Sequence, residues 1–128
     1  MRSTLWFGLL APALFSPAPA MAQVAGKWRV TGEISGRSFT LDCRFDERGP
    51  QLGGECIDVT TGDSKAKPGK RHILSQGSVR GQDVRWSYST RVMIMSVEIQ
   101  FAGKRDGMRM TGTVTAKGRQ GSFSAIRI

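Results

Sequence analysis

Apolar and polar residues alternate with a period of two through most of the chain beyond residue 26, which constrains the fold more than any other feature. No segment carries the three- and four-residue apolar spacing of an amphipathic helix. Turns containing glycine, serine or aspartate separate the alternating segments at roughly regular intervals, as in sandwiches and barrels. The sequence therefore predicts an all-β domain with eight strands, at 27–34, 39–46, 52–58, 72–79, 84–89, 93–102, 108–116 and 121–127.

The predicted hairpins agree about which side chains point inward, because each turn keeps the alternation in phase from strand to strand. Four-residue turns at 35–38, 89–92 and 117–120, with a two-residue turn at Asp106-Gly107, give one continuous inward face. The predicted inward residues are Trp28, Val30, Ile34, Phe39, Leu41, Cys43, Phe45, Leu52, Cys56, Ile73, Val79, Val84, Trp86, Tyr88, Met93, Met95, Val97, Ile99, Phe101, Met110, Val114, Phe123 and Ala125.

Eight consecutive antiparallel strands with one buried face would leave two unpaired edges if the sheet stayed open. Closure into an up-and-down, or meander, barrel removes both edges. We therefore expect an eight-stranded antiparallel barrel, with a two-sheet β-sandwich as the alternative architecture.

The chain has two cysteines, Cys43 and Cys56, and the turn at 48–51 places them opposite each other on neighbouring strands. A directly opposed antiparallel pair can bring two side chains close enough for a disulfide. The spacing is not that of a Cys-x-x-Cys redox motif. The sequence predicts a structural disulfide between them.

Residues 1–22 have the pattern of a secretory signal peptide. A single basic residue, Arg2, precedes a short apolar run, and small residues at Ala20 and Ala22 form a cleavage site, with cleavage expected after Ala22. Residues 23–128 then form one β-barrel domain, exported to the periplasm or secreted. No other apolar run approaches membrane-spanning length, so we expect this domain not to be transmembrane.

The first strand begins Gly26-Lys27-Trp28, a Gly-x-Trp sequence, and the last strand carries Arg127. With eight meandering strands, the chain resembles the calycin group, which comprises lipocalins, fatty-acid-binding proteins and avidins. It also resembles small exported bacterial β-barrel proteins of unassigned role with glycine-rich hairpins. The calycin resemblance implies a lipocalin-like barrel plug, in which Trp28 closes one end of the barrel and Arg127 packs across it.

Residues suited to catalysis are few. His72 is the only histidine, and the alternation places it outward at a strand start, which leaves no basis for a triad or a histidine metal site. Asp58 is the only inward acid, and we expect it to pair with a nearby lysine at the barrel rim. We therefore expect no catalytic residues, no metal and no cofactor, and the protein is predicted not to be an enzyme.

Charge is distributed unequally between the two predicted ends of the barrel. Removing Arg2 from the 19 Lys and Arg residues leaves 18 against 10 Asp and Glu, a net charge of +8 after cleavage. The loops opposite Trp28 carry eight cations against Asp63, namely Arg37, Lys65, Lys67, Lys70, Arg71, Arg91, Lys117 and Arg119. Such a rim attracts anions, although basic loops can also serve only to keep a protein in solution.

Aromatic and methionine side chains are predicted just below this positive rim, where they would line an apolar mouth or simply fill the core. The leading hypothesis is non-catalytic binding of a small amphipathic or anionic apolar, lipid-like ligand there. The candidate ligand-binding residues are Tyr88, Trp86, Phe39, Met93, Arg37, Lys65, Lys67 and Arg91.

The alternative hypothesis is a protein-binding module of the cell envelope, such as an inhibitor of a secreted hydrolase. An open cavity would favour the ligand hypothesis, and a filled barrel would favour the protein partner. Export argues against a nucleic-acid partner despite the basic charge. The sequence leaves the oligomeric state open.

Overall fold

The computed structural model describes residues 23–59 and 68–128, and every regular element within them is a β-strand. The predicted signal peptide, Lys65 and Lys67 lie outside the described residues. The strands are β1 (Gly26–Ile34), β2 (Arg37–Arg48), β3 (Gln51–Asp58), β4 (Arg71–Ile73), β5 (Gln76–Arg80), β6 (Asp83–Val92), β7 (Met95–Asp106), β8 (Arg109–Ala116) and β9 (Arg119–Arg127).

The sheet closes on itself because β1 pairs with β9 as well as with β2. β4 and β5 both pair with β3, so these two short strands together take one position in the barrel. The predicted eight-stranded antiparallel up-and-down barrel is therefore confirmed, and the sandwich alternative is not adopted. The one predicted strand 72–79 is interrupted at Leu74 and Ser75.

The turns predicted at 35–38 and 117–120 are two residues long rather than four. Ser35 and Gly36 have φ values of 54° and 77°, and Lys117 and Gly118 have 53° and 76°. Two successive positive φ angles form the type I′ turn, whose twist suits a tight hairpin. The strand register therefore moves by two residues, which leaves each side chain on its predicted face.

The turn predicted at Asp106-Gly107 lies one residue further along the chain. Asp106 pairs with Arg109, and Gly107 and Met108 form the turn, with Gly107 at φ 64°. Glycine at the first central position matches the type II′ turn, so the glycine rather than the aspartate sets the register.

The β6–β7 hairpin differs most from the sequence prediction. The turn is at Met93 and Ile94 rather than at 89–92, so Trp86 pairs with Phe101 instead of Met95. Met93 is 91% exposed and Met95 is 52% exposed, which corrects their predicted inward positions. Residues 89–94 contain no glycine or asparagine to mark the turn, and the β-branched Thr90 favours continuing the strand.

The centre of the barrel is filled by aromatic side chains. Trp86 stacks on Phe101 with ring centroids 4.7 Å apart, while Phe45 and Phe123 pack against the same indole at 4.9 and 5.4 Å. All the predicted inward residues other than Ile73, Met93 and Met95 are buried or partly buried. The barrel interior is thus a packed core for most of its length.

Cys43 and Cys56 form the predicted disulfide between β2 and β3. They are directly paired in the strand register, and both are buried. The bond lies beside the interrupted position of the barrel, where β3 meets β4 and β5.

One end of the barrel, here called the closed end, carries the turns 49–50, 81–82 and 107–108 and the segment 23–25. The Arg127 guanidinium lies 4.7 Å from the ring centroid of Trp28 and donates hydrogen bonds to the carbonyls of Ala25 and Gln23 at 2.6 and 2.7 Å. The Glu47 carboxylate accepts hydrogen bonds from the backbone N–H groups of Val24 and Ala25. These contacts hold the segment across the barrel end.

Candidate functional site

A cavity of about 260 Å³ opens at the other end of the barrel, here called the open end. That end carries the turns 35–36, 93–94 and 117–118, the end of β3 and the start of β4. Its apolar wall consists of Ile34, Phe39, Leu41, Ile99, Phe101, Val114 and Ala116. Its polar lining consists of Asp58, Lys70, His72, Tyr88 and Thr90.

His72 reaches this cavity because the barrel register changes between β4 and β5. Cys56 pairs with His72, whereas Gln51 pairs with Ser78, so the two strands are one residue out of phase along β3. A one-residue change reverses which side chains point inward. His72 is consequently 6% exposed and Ile73 is 62% exposed, which corrects both predicted orientations.

Asp58 and His72 form a polar pair at the cavity wall. The imidazole Nε2 lies 3.1 Å from the Asp58 carboxylate Oδ1. The expected lysine partner of Asp58 is therefore replaced by histidine, although Lys70 lines the same cavity. The backbone joins these residues as well, since the Asp58 N–H donates to the Lys70 carbonyl at 2.9 Å.

Tyr88 lies against this pair. Its phenol ring stacks on the imidazole of His72 with centroids 4.5 Å apart and planes 13° from parallel. Burial raises the pKa of Tyr88 well above the ordinary value, and the negative charge of Asp58 raises it further. The phenol therefore stays protonated at neutral pH and can donate a hydrogen bond into the cavity.

The other predicted aromatic ligand-binding residues lie at different depths. Phe39 lines the cavity. Trp86 lies below it in the packed core, and among the described residues its indole N–H has no hydrogen-bond partner. The plain-core interpretation of Trp86 therefore fits the structure better than a ligand contact.

The described cations predicted for the rim do lie at the open end, at Arg37, Lys70, Arg71, Arg91, Lys117 and Arg119. Lys70 is the one that lines the cavity, and its Nζ donates to the Thr90 hydroxyl at 3.3 Å. Arg71 forms an ion pair with Glu55 on the barrel wall at 3.3 Å. Arg37 and Arg91 are exposed and stand outside the cavity lining.

Sequence reasoning missed four of the five polar cavity residues as binding candidates: Asp58, Lys70, His72 and Thr90. A signal for His72 existed in the neighbouring Ile73-Leu74, because two adjacent apolar residues cannot both point inward in a regular strand. Lys70 and Thr90 were missed because the start of β4 and the β6–β7 turn were predicted at other positions. Lys70 directly precedes β4, and Thr90 lies within β6 rather than in a turn.

Within residues 23–59 and 68–128, no group of three or more His, Cys, Asp or Glu side chains is placed to hold a metal ion. The same residues include no helix that is both long and apolar enough to span a membrane.

No protein-family model matches the sequence, and no curated protein matches it. Solved structures share its fold, and two of them are redesigned β-barrels. A redesigned β-barrel, b11L5F_LGL, has a TM-score of 0.60 at 15% identity, covering 82% of this chain and 91% of its own. A second redesigned β-barrel, mFAP1, bound to DFHBI, has a TM-score of 0.58 at 16% identity, covering 82% and 94%. At these identities the likeness shows the barrel fold, which is consistent with the calycin resemblance.

Proposed function

We propose that this protein is exported and that it binds a small amphipathic anion, without catalysis, in the cavity at the open end. The observation that carries the proposal is the cavity itself, whose wall is mostly apolar and whose rim holds Lys70. Ligand pockets in proteins commonly combine an apolar wall with a few converging polar groups. A filled barrel was the expectation of the protein-inhibitor hypothesis, so the open cavity favours a ligand.

The size of the cavity restricts the ligand. At about 260 Å³ it lies just below the usual 300–1,000 Å³ of small-molecule sites. Trp86 and Phe101 fill the barrel beneath it, so a ligand cannot pass deeper toward Trp28. An aromatic acid, or the end of an acyl chain, suits this volume.

The polar groups define the orientation of such a ligand. The ammonium of Lys70 and the hydroxyl of Thr90 can bind an anionic head group, while Phe39 and Ile99 contact the apolar body. The Tyr88 hydroxyl can donate to a ligand acceptor at the wall. A barrel of the same fold, mFAP1, is solved with a small molecule, DFHBI, which supports the use of this architecture for binding.

Export is supported by the pattern of residues 1–22 and by the disulfide. A buried disulfide fits an oxidising compartment, because cytosolic reductants keep most thiols reduced. The protein would therefore meet its ligand in the periplasm or outside the cell.

Fluorescence titration with anilinonaphthalene sulfonate, an aromatic anion, tests the proposal. We expect roughly micromolar binding that weakens as salt rises, because salt screens exposed charges over about 10 Å at 0.1 M. Ala116→Leu should fill the cavity and abolish binding, whereas Thr115→Leu, on the outer face of the same strand, should not. Lys70→Gln should weaken binding more than Arg80→Gln at the closed end.

Two results would overturn the proposal. Binding that survives Ala116→Leu unchanged would place the dye elsewhere on the protein. Equal losses of dye affinity from Lys70→Gln and Arg80→Gln would mean that the dye is attracted to the basic protein in general and not to Lys70 in particular.

A further inference from the structure

The tip of the β6–β7 hairpin exposes large apolar side chains. Met93 is 91% exposed and Ile94 is 89% exposed, and Met95 beside them is 52% exposed. Two-residue hairpin turns favour asparagine, aspartate or glycine, yet Met93 adopts a φ of 59°. Turn geometry therefore does not explain why Met93 and Ile94 are found at this turn. Because both side chains are exposed, burial of apolar surface does not explain them either.

The hairpin also extends beyond the neighbouring strand. β8 ends at Ala116, which pairs with Ile99, so the four β7 residues from Met95 to Glu98 continue past it. At ~3.3 Å per residue this extension is roughly 13 Å long. Val97 is buried, so the base of the extension packs against the protein while its tip stands clear.

Cations lie on the same barrel end as this tip. Arg91 lies on the hairpin itself, Lys117 and Arg119 lie at the neighbouring β8–β9 turn, and Arg37 lies at the β1–β2 turn. Among the described residues, the acids on this end are Glu33, Glu98 and Asp58, and Asp58 pairs with His72. Within the part of the chain that the structure describes, the hairpin tip is thus apolar, and the rest of this barrel end carries more cations than acids.

We propose that the open end docks on an anionic lipid bilayer, with Met93, Ile94 and Met95 inserted among the acyl chains. The cations behind the tip would then lie at the depth of the phosphate head groups. Peripheral proteins combine these two contributions, buried apolar area and attraction to anionic lipids. A protruding tip with a cationic base suits a bilayer better than the flat surface of a second protein.

This inference stands on residues outside the cavity and goes beyond the proposed ligand binding. Its consequence is that the mouth would face the membrane, so that an amphipathic ligand could enter it from the lipid phase. The ligand-binding and membrane-docking proposals can be tested separately, because Ala116→Leu alters the cavity without changing the hairpin tip.

Co-sedimentation of the oxidised protein with vesicles tests the docking. We expect binding to phosphatidylglycerol vesicles and little binding to phosphatidylcholine vesicles, with loss at high salt. Met93→Asn combined with Ile94→Ser should reduce binding by roughly tenfold or more, since it removes the inserting side chains. Asparagine tolerates the positive φ of position 93, so the hairpin should still form.

Matched controls lie at the closed end. Met108 is 65% exposed in a two-residue turn there, and Met108→Ser should leave binding unchanged. Arg91→Glu with Lys117→Glu should weaken binding by roughly tenfold or more, whereas Arg48→Glu with Arg80→Glu should have a much smaller effect.

Insertion itself has a separate readout. In Ile94→Trp the new indole should show a blue shift and quenching by brominated lipids, and Met108→Trp should show neither. Absence of vesicle binding, or equal losses from both pairs of variants, would overturn the proposal. The proposal would also be overturned if the protein formed a dimer that Ile94→Ser dissociates, or if the tip bound a protein and no vesicles. In either case the tip would have a binding partner other than a bilayer.

Discussion

The imidazole of His72 stacks on the phenol of Tyr88, with ring centroids 4.5 Å apart, at the wall of the open cavity. The same imidazole is 3.1 Å from the carboxylate of Asp58. Three polar side chains from β3, β4 and β6 therefore meet at one place in an otherwise apolar wall. The arrangement depends on the change of register between β4 and β5, which turns His72 inward.

Tyr88 should titrate at unusually high pH. It is the only tyrosine in the chain, so tyrosinate absorbance at 295 nm reports this residue alone. Burial and the charge of Asp58 raise its pKa above the ordinary value of about 10. We expect little tyrosinate at pH 10.5 in the native protein, and a midpoint near 10 in denaturant. A native midpoint near 10 would contradict the buried position.

The same shift predicts a loss of stability in alkali. Because the pKa of Tyr88 is raised in the folded state, its contribution to the free energy of unfolding is complete below about pH 10. That contribution falls as pH rises through the folded-state pKa. Urea unfolding at several pH values should show a steeper alkaline decline for the native protein than for Tyr88→Phe. Parallel pH profiles for the two proteins would exclude the effect.

Asp58→Asn should lower the pKa of Tyr88 without restoring the ordinary value. The substitution removes the negative charge that opposes tyrosinate, while burial, the larger cause, is unchanged. Absorbance titration of Asp58→Asn beside the native protein measures the difference. Glu33→Gln is a suitable control, since Glu33 is outside the cavity lining. An unchanged midpoint in Asp58→Asn would show that the Asp58 charge does not reach the phenol.

Much of the fold could be predicted because a β-strand has a period of two. The turns at 35–36 and 117–118 are two residues shorter than predicted, yet Trp28 and Val114 still point inward. An even shift of register cannot turn a side chain to the other face. The barrel and its core are thus insensitive to a two-residue error in the length of a turn.

Two features of the open end depart from regular alternation and from the usual turn residues, and they were not predicted. One is the odd register change before β5, which places His72 rather than Ile73 in the cavity. The other is the β6–β7 turn, which has no glycine or asparagine and places Met93 at an exposed tip. Phe39 and Tyr88 lie on regular parts of their strands, and both line the cavity.

The disulfide should contribute substantially to stability. In the chain-entropy model, a link across the 13-residue separation of Cys43 and Cys56 contributes about 3 kcal/mol. The paired substitution Cys43→Ser and Cys56→Ser should lower the free energy of unfolding by about 2–5 kcal/mol. Urea unfolding measures this change, and peptide mapping without reductant should find the two cysteines joined. Free thiols in the unreduced protein would contradict the bond and would remove the support that the disulfide gives to the export hypothesis.

Trp28 and Arg127 should be energetically coupled. Trp28→Ala removes a fully buried aromatic side chain and should cost about 3–5 kcal/mol. Arg127→Ala should cost less. It removes the cation above the indole and two hydrogen bonds to the carbonyls of Ala25 and Gln23.

The double variant should therefore lose less than the sum of the two single losses, by about 0.5–2 kcal/mol, because the cation–π contact is removed once and not twice. Urea unfolding followed by far-ultraviolet circular dichroism measures all four proteins without relying on the fluorescence of the substituted tryptophan. Arg29 supplies the control, since it pairs with Asp42 on the outer surface at 2.8 Å, and a Trp28–Arg29 cycle should be nearly additive. Equal coupling in the two cycles would mean that Arg127 acts through general destabilisation and not through the stacked contact that closes the barrel.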